Sequence, residues 1–95
     1  MAYVLTAKWT AKEGEEDAVL EALRSLASPS RAESGCLYYQ PCRDPENPRV
    51  FLIYEEYADE SAYKSHGESE HFQRLGVPTF DRLESRERAF YETID

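Results

Sequence analysis

Residues 36–58, which read CLYYQPCRDPENPRVFLIYEEYA, contain two runs of aromatic and apolar residues on either side of a turn. Aromatic and β-branched residues are typical of strands, and residues 49–58 are especially rich in them. The intervening residues 44–48 (DPENP) are turn formers. The short link predicts an antiparallel hairpin of strands 36–43 and 49–58, in which Pro41 requires a sheet edge or a bulge.

The spacing of apolar residues before this hairpin changes once, from that of a strand to that of a helix. Residues 2–10 alternate with period two, which predicts a strand, and residues 15–28 carry an apolar stripe with helical spacing and charges opposite. Pro29 predicts that the helix ends nearby, unless it resumes toward Glu33 and stops at Gly35.

The residues after the hairpin complete the pattern. Asp59 is a good N-cap for a helix over about 60–66, Gly67 interrupts it, and residues 69–76 form a second helical piece. Residues 83–94 alternate again. The order β-α-β-β-α-β predicts an α+β, ferredoxin-like fold: a four-stranded antiparallel sheet with both helices on one face.

The strand over residues 49–58 is apolar on both sides, although helices would cover only one face of the sheet. A second copy of the chain is the simplest cover for the other face, so we expect a homodimer. The residues concerned are Phe51, Ile53 and Tyr57 on one side and Val50, Leu52 and Tyr54 on the other.

Length and charge limit the class of protein. The 95 residues (11.0 kDa) make one domain, residues 1–95. A net charge of −8 argues against binding to nucleic acids or to anionic membranes. No apolar run approaches the roughly 20 residues of a spanning helix, and no signal peptide is visible. Cys36 and Cys42 would lie roughly 20 Å apart in one strand, too far for a disulfide, so we expect a reducing cytoplasm.

The sequence lacks the usual metal and cofactor motifs. His66 and His71 are five residues apart, about 140° around a helix, so they would not share a helix face. No Cys-x-x-Cys, phosphate loop or dinucleotide fingerprint is present. We therefore expect a small-molecule site without a metal or a cofactor.

Glu55 lies on the same side of its strand as Phe51, Ile53 and Tyr57. A carboxylate in an aromatic row has a raised pKa unless it is paired. Two interpretations stay open: a rim glutamate that bonds Tyr or Arg, or a general base in a pocket. Glu56 points the other way, to the predicted dimer face, where Arg86 or Arg88 could meet it.

The chain has seven tyrosines, and most of them fall in predicted strands. They suit either an interface or a phenol-lined pocket for a flat aromatic ligand. Trp9, at the end of the first strand, fits the core or the lid of such a pocket.

Three stretches together resemble the antibiotic biosynthesis monooxygenase (ABM) domain family: residues 33–39 (ESGCLYY), residues 51–59 (FLIYEEYAD), and His66 followed by residues 69–72 (SEHF). The resemblance extends over residues 3–94. It implies a dimeric α+β barrel in which each copy has a pocket between sheet and helices. Known activities include cofactor-independent oxidation of quinol-like or polyketide aromatics by O₂, haem degradation, and isomerisation of a phosphorylated signalling sugar.

The resemblance carries over to single residues. Glu55 matches the family's strand glutamate and His66 its helix histidine. Tyr57 stands where the family often has Trp, and Ala7 stands where the haem-degrading branch has Asn. These two departures argue against haem, and that at Tyr57 also weakens the case for a monooxygenase.

Our leading hypothesis is a cofactor-independent monooxygenase that uses O₂ on a quinol-like or polyketide aromatic. His66 would accept a phenolic proton and Glu55 would orient His66 or share the proton. The residues expected to bind the substrate are Tyr57, Trp9, Tyr39, His71 and Phe72.

Two alternatives stay open. In an isomerase, Glu55 and His66 would shuttle a proton next to a carbonyl, and a phosphate would need a cation such as Arg43, Arg74 or Lys64. The other alternative is a dimer that binds a ligand without turnover.

Overall fold

A computed structural model describes residues 1–95 and has the predicted β-α-β-β-α-β order. The four strands form one antiparallel sheet in the order β2-β3-β1-β4, the ferredoxin-like arrangement. The strands are β1 (Tyr3–Ala11), β2 (Cys36–Arg43), β3 (Val50–Tyr57) and β4 (Leu83–Glu92). The helical segments are α1 (Glu16–Arg31), α2 (Glu60–Glu68), a π-helical turn at Phe72–Gly76 and a 3₁₀ helix at Val77–Arg82.

Helix α1 continues through Pro29 and ends at Arg31, two residues after the proline and short of the alternative stop at Gly35. The proline removes one backbone hydrogen bond. Leu26 and Ser30 on either side of it are fully buried, and the packing of this last turn offsets the loss. Glu33 and Gly35 therefore lie in the connection to β2.

Helix α2 begins as predicted, because the Asp59 carboxylate accepts a hydrogen bond from the Ala62 amide at 2.8 Å. It runs through Gly67 to Glu68 and ends where Ser69 is extended. The predicted interruption at Gly67 is thus displaced by two residues. The second helical piece predicted over 69–76 is present, with residues 70–71 α-helical and Phe72–Gly76 in a π-helical turn.

Pairing with β1 fixes the direction of the β4 side chains. Arg86 lies opposite Trp9 and Arg88 opposite Ala7, and directly opposite residues share a face of the sheet. Both arginines thus lie on the helix-covered face. The expectation that they meet Glu56 on the other face is wrong.

The core lies between α1 and the sheet, where apolar side chains from both are almost inaccessible to water. Its members include Val19 and Leu23 of α1, Ala7 and Trp9 of β1, and Phe51 and Ile53 of β3.

Cys36 and Cys42 are free thiols. No helix is both long and apolar enough to cross a membrane. The cytoplasmic location stays a prediction.

Gly35 gives a test of how the α1–β2 connection packs against α2. An added Cβ at this position would collide with the Cβ of Ala62. We expect Gly35→Ala to destabilise the protein by about 1–3 kcal/mol, the usual cost of overpacking, as measured by urea unfolding.

Gly67→Ala is the matched control. A Cβ there meets no atom within 4 Å, and alanine is the better helix former by up to about 1 kcal/mol. Equal changes in the two variants would contradict the close approach at Gly35.

Candidate active site

A pocket of about 150 Å³ lies between the sheet and the helical layer. Seven of its twelve lining residues are hydrophobic, among them Trp9, Ile53 and Phe72. A cavity of about this volume holds one benzene ring. The space therefore suits a single aromatic ring.

Glu55 reaches this pocket from the middle of β3, and only 5% of it is exposed. The Tyr57 hydroxyl donates a hydrogen bond to its Oε1 at 2.5 Å. Burial raises the pKa of Glu55 to about 7, although the bond from Tyr57 opposes the rise. The side chain can therefore both give and take a proton near neutral pH.

His66 faces Glu55 from α2 and is 3% exposed. Its Nδ1 lies 2.7 Å from Oε2 of Glu33, and its Nε2 lies 3.8 Å from Oε1 of Glu55. Burial lowers the pKa of the imidazole, although Glu33 opposes this. With the Nδ1 proton donated to Glu33, Nε2 carries the free lone pair on the side of Glu55 and is suited to accept a proton.

Glu33 was not among the predicted site residues. Its Oε2 also lies 2.5 Å from Nε2 of His71, so one carboxylate oxygen holds both imidazoles. The two histidines share no helix face, as expected, yet both reach Glu33, because α2 ends at Glu68 and His71 belongs to the next segment. The sequence signals for Glu33 were its position two residues before Gly35 and its place at the start of the stretch 33–39 that resembles the family.

The remaining predicted ligand residues divide into two groups. Trp9, Tyr39 and Phe72 line the pocket, and the last two rings pack on His66 with centroids 5.7 and 5.1 Å away. Tyr57 and His71 do not line it. They lie behind Glu55 and His66 and bond them directly or through Glu33, so they support the site instead of forming the predicted wall.

Two cations that were not predicted for the site, Arg86 and Arg88, line the pocket. Arg88 donates a hydrogen bond to the Tyr63 hydroxyl at 2.9 Å. The Arg86 guanidinium lies 3.8 Å above the centre of the Phe80 ring.

The cations expected for a phosphate lie elsewhere. Arg74 pairs with Glu70 at 2.7 Å and Lys64 pairs with Glu60 at 3.8 Å, both on exposed helix surfaces. Arg43 does not line the pocket either. None of these three cations therefore lies where it would bind the phosphate of an isomerase substrate in the pocket.

Glu33, His66 and His71 are also the one group of side chains that could hold a metal ion, with ligand atoms all within 4.8 Å of one another. Two imidazoles and a carboxylate suit divalent transition metals. The two N–O separations of 2.7 and 2.5 Å are hydrogen-bond lengths, so the arrangement present is a carboxylate that orients two imidazoles.

Known proteins share this architecture. The sequence model of the antibiotic biosynthesis monooxygenase family matches residues 2–75, which include Glu33, Glu55, His66 and His71. The chain belongs to the antibiotic biosynthesis monooxygenase family. Arg86 and Arg88 of this ABM protein lie beyond the matched part. No curated protein matches the sequence.

Solved structures agree with the family and with the fold. Protein PA3566 from Pseudomonas aeruginosa is 31% identical, with a TM-score of 0.92 over 99% of this chain and 95% of that one. Protein SO0527 from Shewanella oneidensis is 27% identical, with a TM-score of 0.90 over 97% and 90%. A structure described as an antibiotic biosynthesis monooxygenase is 28% identical, with a TM-score of 0.90 over the whole of both chains.

Proposed function

We propose that this ABM protein is a cofactor-independent monooxygenase that oxidises a hydroxylated, quinol-like aromatic ring with O₂. One observation carries the proposal: His66, held at Nδ1 by Glu33, lines a mostly apolar pocket of about the volume of one ring. The family membership and the description of one relative as a monooxygenase agree with it.

The first step is proton transfer from the phenolic hydroxyl to Nε2 of His66. The imidazolium that forms is stabilised by the Glu33 carboxylate 2.7 Å from Nδ1. Because the base is a neutral imidazole in a buried site, it is free to accept a proton at neutral pH. The product is a phenolate, which is far more easily oxidised than the phenol.

The second step is oxidation of the phenolate ring by O₂. One oxygen atom forms a bond to a ring carbon, which loses its hydrogen, and the other leaves as water. The phenol and O₂ thus become a quinone and one water molecule. Glu55, with a pKa of about 7, is placed 3.8 Å from His66 Nε2 to return a proton to the leaving oxygen.

The apolar part of the pocket gives the ring its orientation. Trp9, Ile53 and Phe72 offer flat or branched hydrophobic surfaces, and O₂ is itself apolar. Excluding water from these surfaces strengthens the electrostatic contacts of the proton-transfer groups.

Oxygen uptake tests the proposal. Purified protein, dialysed against chelator and free of flavin absorbance, is mixed with a panel of monocyclic phenols and quinols in an oxygen electrode. We expect uptake above the autoxidation rate for at least one compound, with a quinone product in equal amount. No uptake above the rate of heat-denatured protein with any compound would contradict the proposal.

We also propose that the protein is a homodimer joined through the sheet face that the helices leave open. That face carries large apolar or aromatic side chains: Tyr38 is 52% exposed, Leu52 41% and Tyr91 58%. A face of this kind in an antiparallel sheet is normally polar. An ordinary interface would bury about 800 Å² of each partner.

Light scattering at micromolar concentration tests the dimer. We expect twice the chain mass of 11.0 kDa. Leu52→Glu, which places a charge on the open face, is expected to give monomers, whereas Glu21→Gln on the exposed surface of α1 leaves the mass unchanged. A wild-type mass of one chain would contradict the dimer.

A further inference from the structure

We propose that Arg86 and Arg88 form an anion-binding end of the pocket. The substrate is then a monocyclic phenol that also carries an anionic group such as a carboxylate. This inference rests on the proposed function and names its substrate class. It arises from β4, which lies outside the part of the chain that the family model matches.

The two arginines are side by side at the pocket. They are two residues apart on β4, so their side chains leave the same face of the sheet, opposite Trp9 and Ala7. Both line the pocket, and no other arginine and no lysine is among its lining residues.

The arginines lie across the pocket from the acid–base pair. Strand β1 separates β4 from β3, which carries Glu55. Two strand spacings amount to about 10 Å. A backbone spacing of this order matches a benzene ring whose hydroxyl faces the acid–base pair while its carboxylate faces the arginines.

Neither arginine has a carboxylate of its own. The chain has 19 acidic residues, yet none of the eight ion pairs in the structure includes Arg86 or Arg88. The guanidinium of Arg86 lies over the face of the Phe80 ring, and Arg88 donates one N–H to the Tyr63 hydroxyl. Most of their N–H groups stay available, and a guanidinium binds a carboxylate through two parallel hydrogen bonds.

A third donor lies at the same end. The indole of Trp9 lines the pocket and is 5% exposed, and its Nε1–H has no hydrogen-bond partner. A buried donor without a partner is costly, and this donor belongs to the residue directly opposite Arg86 in the sheet. Burial and the neighbouring Arg88 also lower the pKa of Arg86, and an anion would relieve both effects.

The test compares two probes that differ in charge and hardly in shape, para-hydroxybenzoate and para-hydroxybenzamide. Binding is measured without O₂ by isothermal titration calorimetry, so turnover plays no part. We expect the acid to bind at least about tenfold more tightly than the amide, as hydrogen bonds to charged groups allow. Added salt should weaken only the binding of the acid.

The double variant Arg86→Gln with Arg88→Gln is expected to bind the acid and the amide equally, each with the affinity that the wild type has for the amide. Arg86→Lys with Arg88→Lys keeps the charge and is expected to retain part of the preference, which separates charge from packing. Arg24→Gln, at an exposed ion pair on α1, is the control and should change neither affinity.

Equal affinities in the wild type, or a preference for the acid that survives both double variants, would overturn the anion site while the pocket itself stands. If neither probe binds, the inference fails, whereas the proposed function is decided separately by oxygen uptake with the panel of phenols and quinols. Binding of the amide alone would overturn only the inference.

Discussion

Replacing His66 by alanine is expected to lower kcat/KM for a phenolic substrate by about 10²-fold or more, the usual effect of losing a general base. The imidazole lines the pocket, and Glu33 holds its orientation through a contact of 2.7 Å at Nδ1, so alanine removes the proposed base from the site. The rate is measured by oxygen uptake, and the unfolding midpoint and mass are checked alongside. Wild-type turnover by this variant would show that His66 is not the base.

The pH dependence of kcat/KM is a second test of His66 as the base. A free imidazole would give a rise of kcat/KM near its ordinary pKa of 6.5. Because burial lowers the pKa of His66, we expect the rise at a lower pH than 6.5. A rise well above this value would assign it to another group.

Two variants test how the residues that hold His66 contribute to turnover. Glu33→Gln keeps the shape of the side chain but removes the charge that stabilises the imidazolium, so it should lower turnover while keeping the fold. His71→Ala leaves the bond between Glu33 and His66 in place and is expected to have a smaller effect. Glu21→Gln, on the exposed surface of α1, is the control for the first.

Glu55→Gln is expected to change the stability of the protein as a function of pH. The pKa of Glu55 rises from an ordinary 4.5 to about 7 in the folded protein. Its contribution to stability is therefore fully present below pH 4.5 and is lost as the pH rises through about 7. The loss amounts to roughly 3 kcal/mol.

The amide cannot ionise and so does not suffer this loss, while it still accepts the hydrogen bond from Tyr57. Relative to wild type, we expect Glu55→Gln to become more stable at pH 8 than at pH 5, by urea unfolding at both values. A difference that does not vary with pH would contradict the raised pKa.

The elements were predictable where local chemistry decides them. The hairpin over residues 36–58 follows from its composition and turn, and the start of α2 follows from the Asp59 cap. The sequence left the end of α1 open between Pro29 and Gly35, because the choice depends on how the last turn, with the buried Leu26, packs in the folded chain.

The site was predictable only in part. Glu55 stands out because it is a carboxylate in an aromatic row, and the family resemblance adds His66. Glu33 belongs to the family-like stretch 33–39, but its role was not predicted, because it lies in the connection after α1 and reaches His66 only in the folded chain.

Strand pairing decides on which face of the sheet the β4 side chains lie. Alternation places Arg86 and Arg88 on one side of their strand but does not say which side meets the helices. That choice depends on the register with β1, in which Arg86 lies opposite Trp9. Long-range register of this kind cannot be read from the period of a single strand.

Isotope labelling tests the central claim most directly. The reaction is run under O₂ enriched in heavy oxygen, with chelator-treated, flavin-free protein and the phenol that gives the fastest uptake, and the quinone is analysed at once by mass spectrometry. A parallel reaction in heavy water oxygen corrects for carbonyl exchange. The account predicts one heavy oxygen atom in each quinone molecule; an unlabelled quinone formed together with hydrogen peroxide would contradict it.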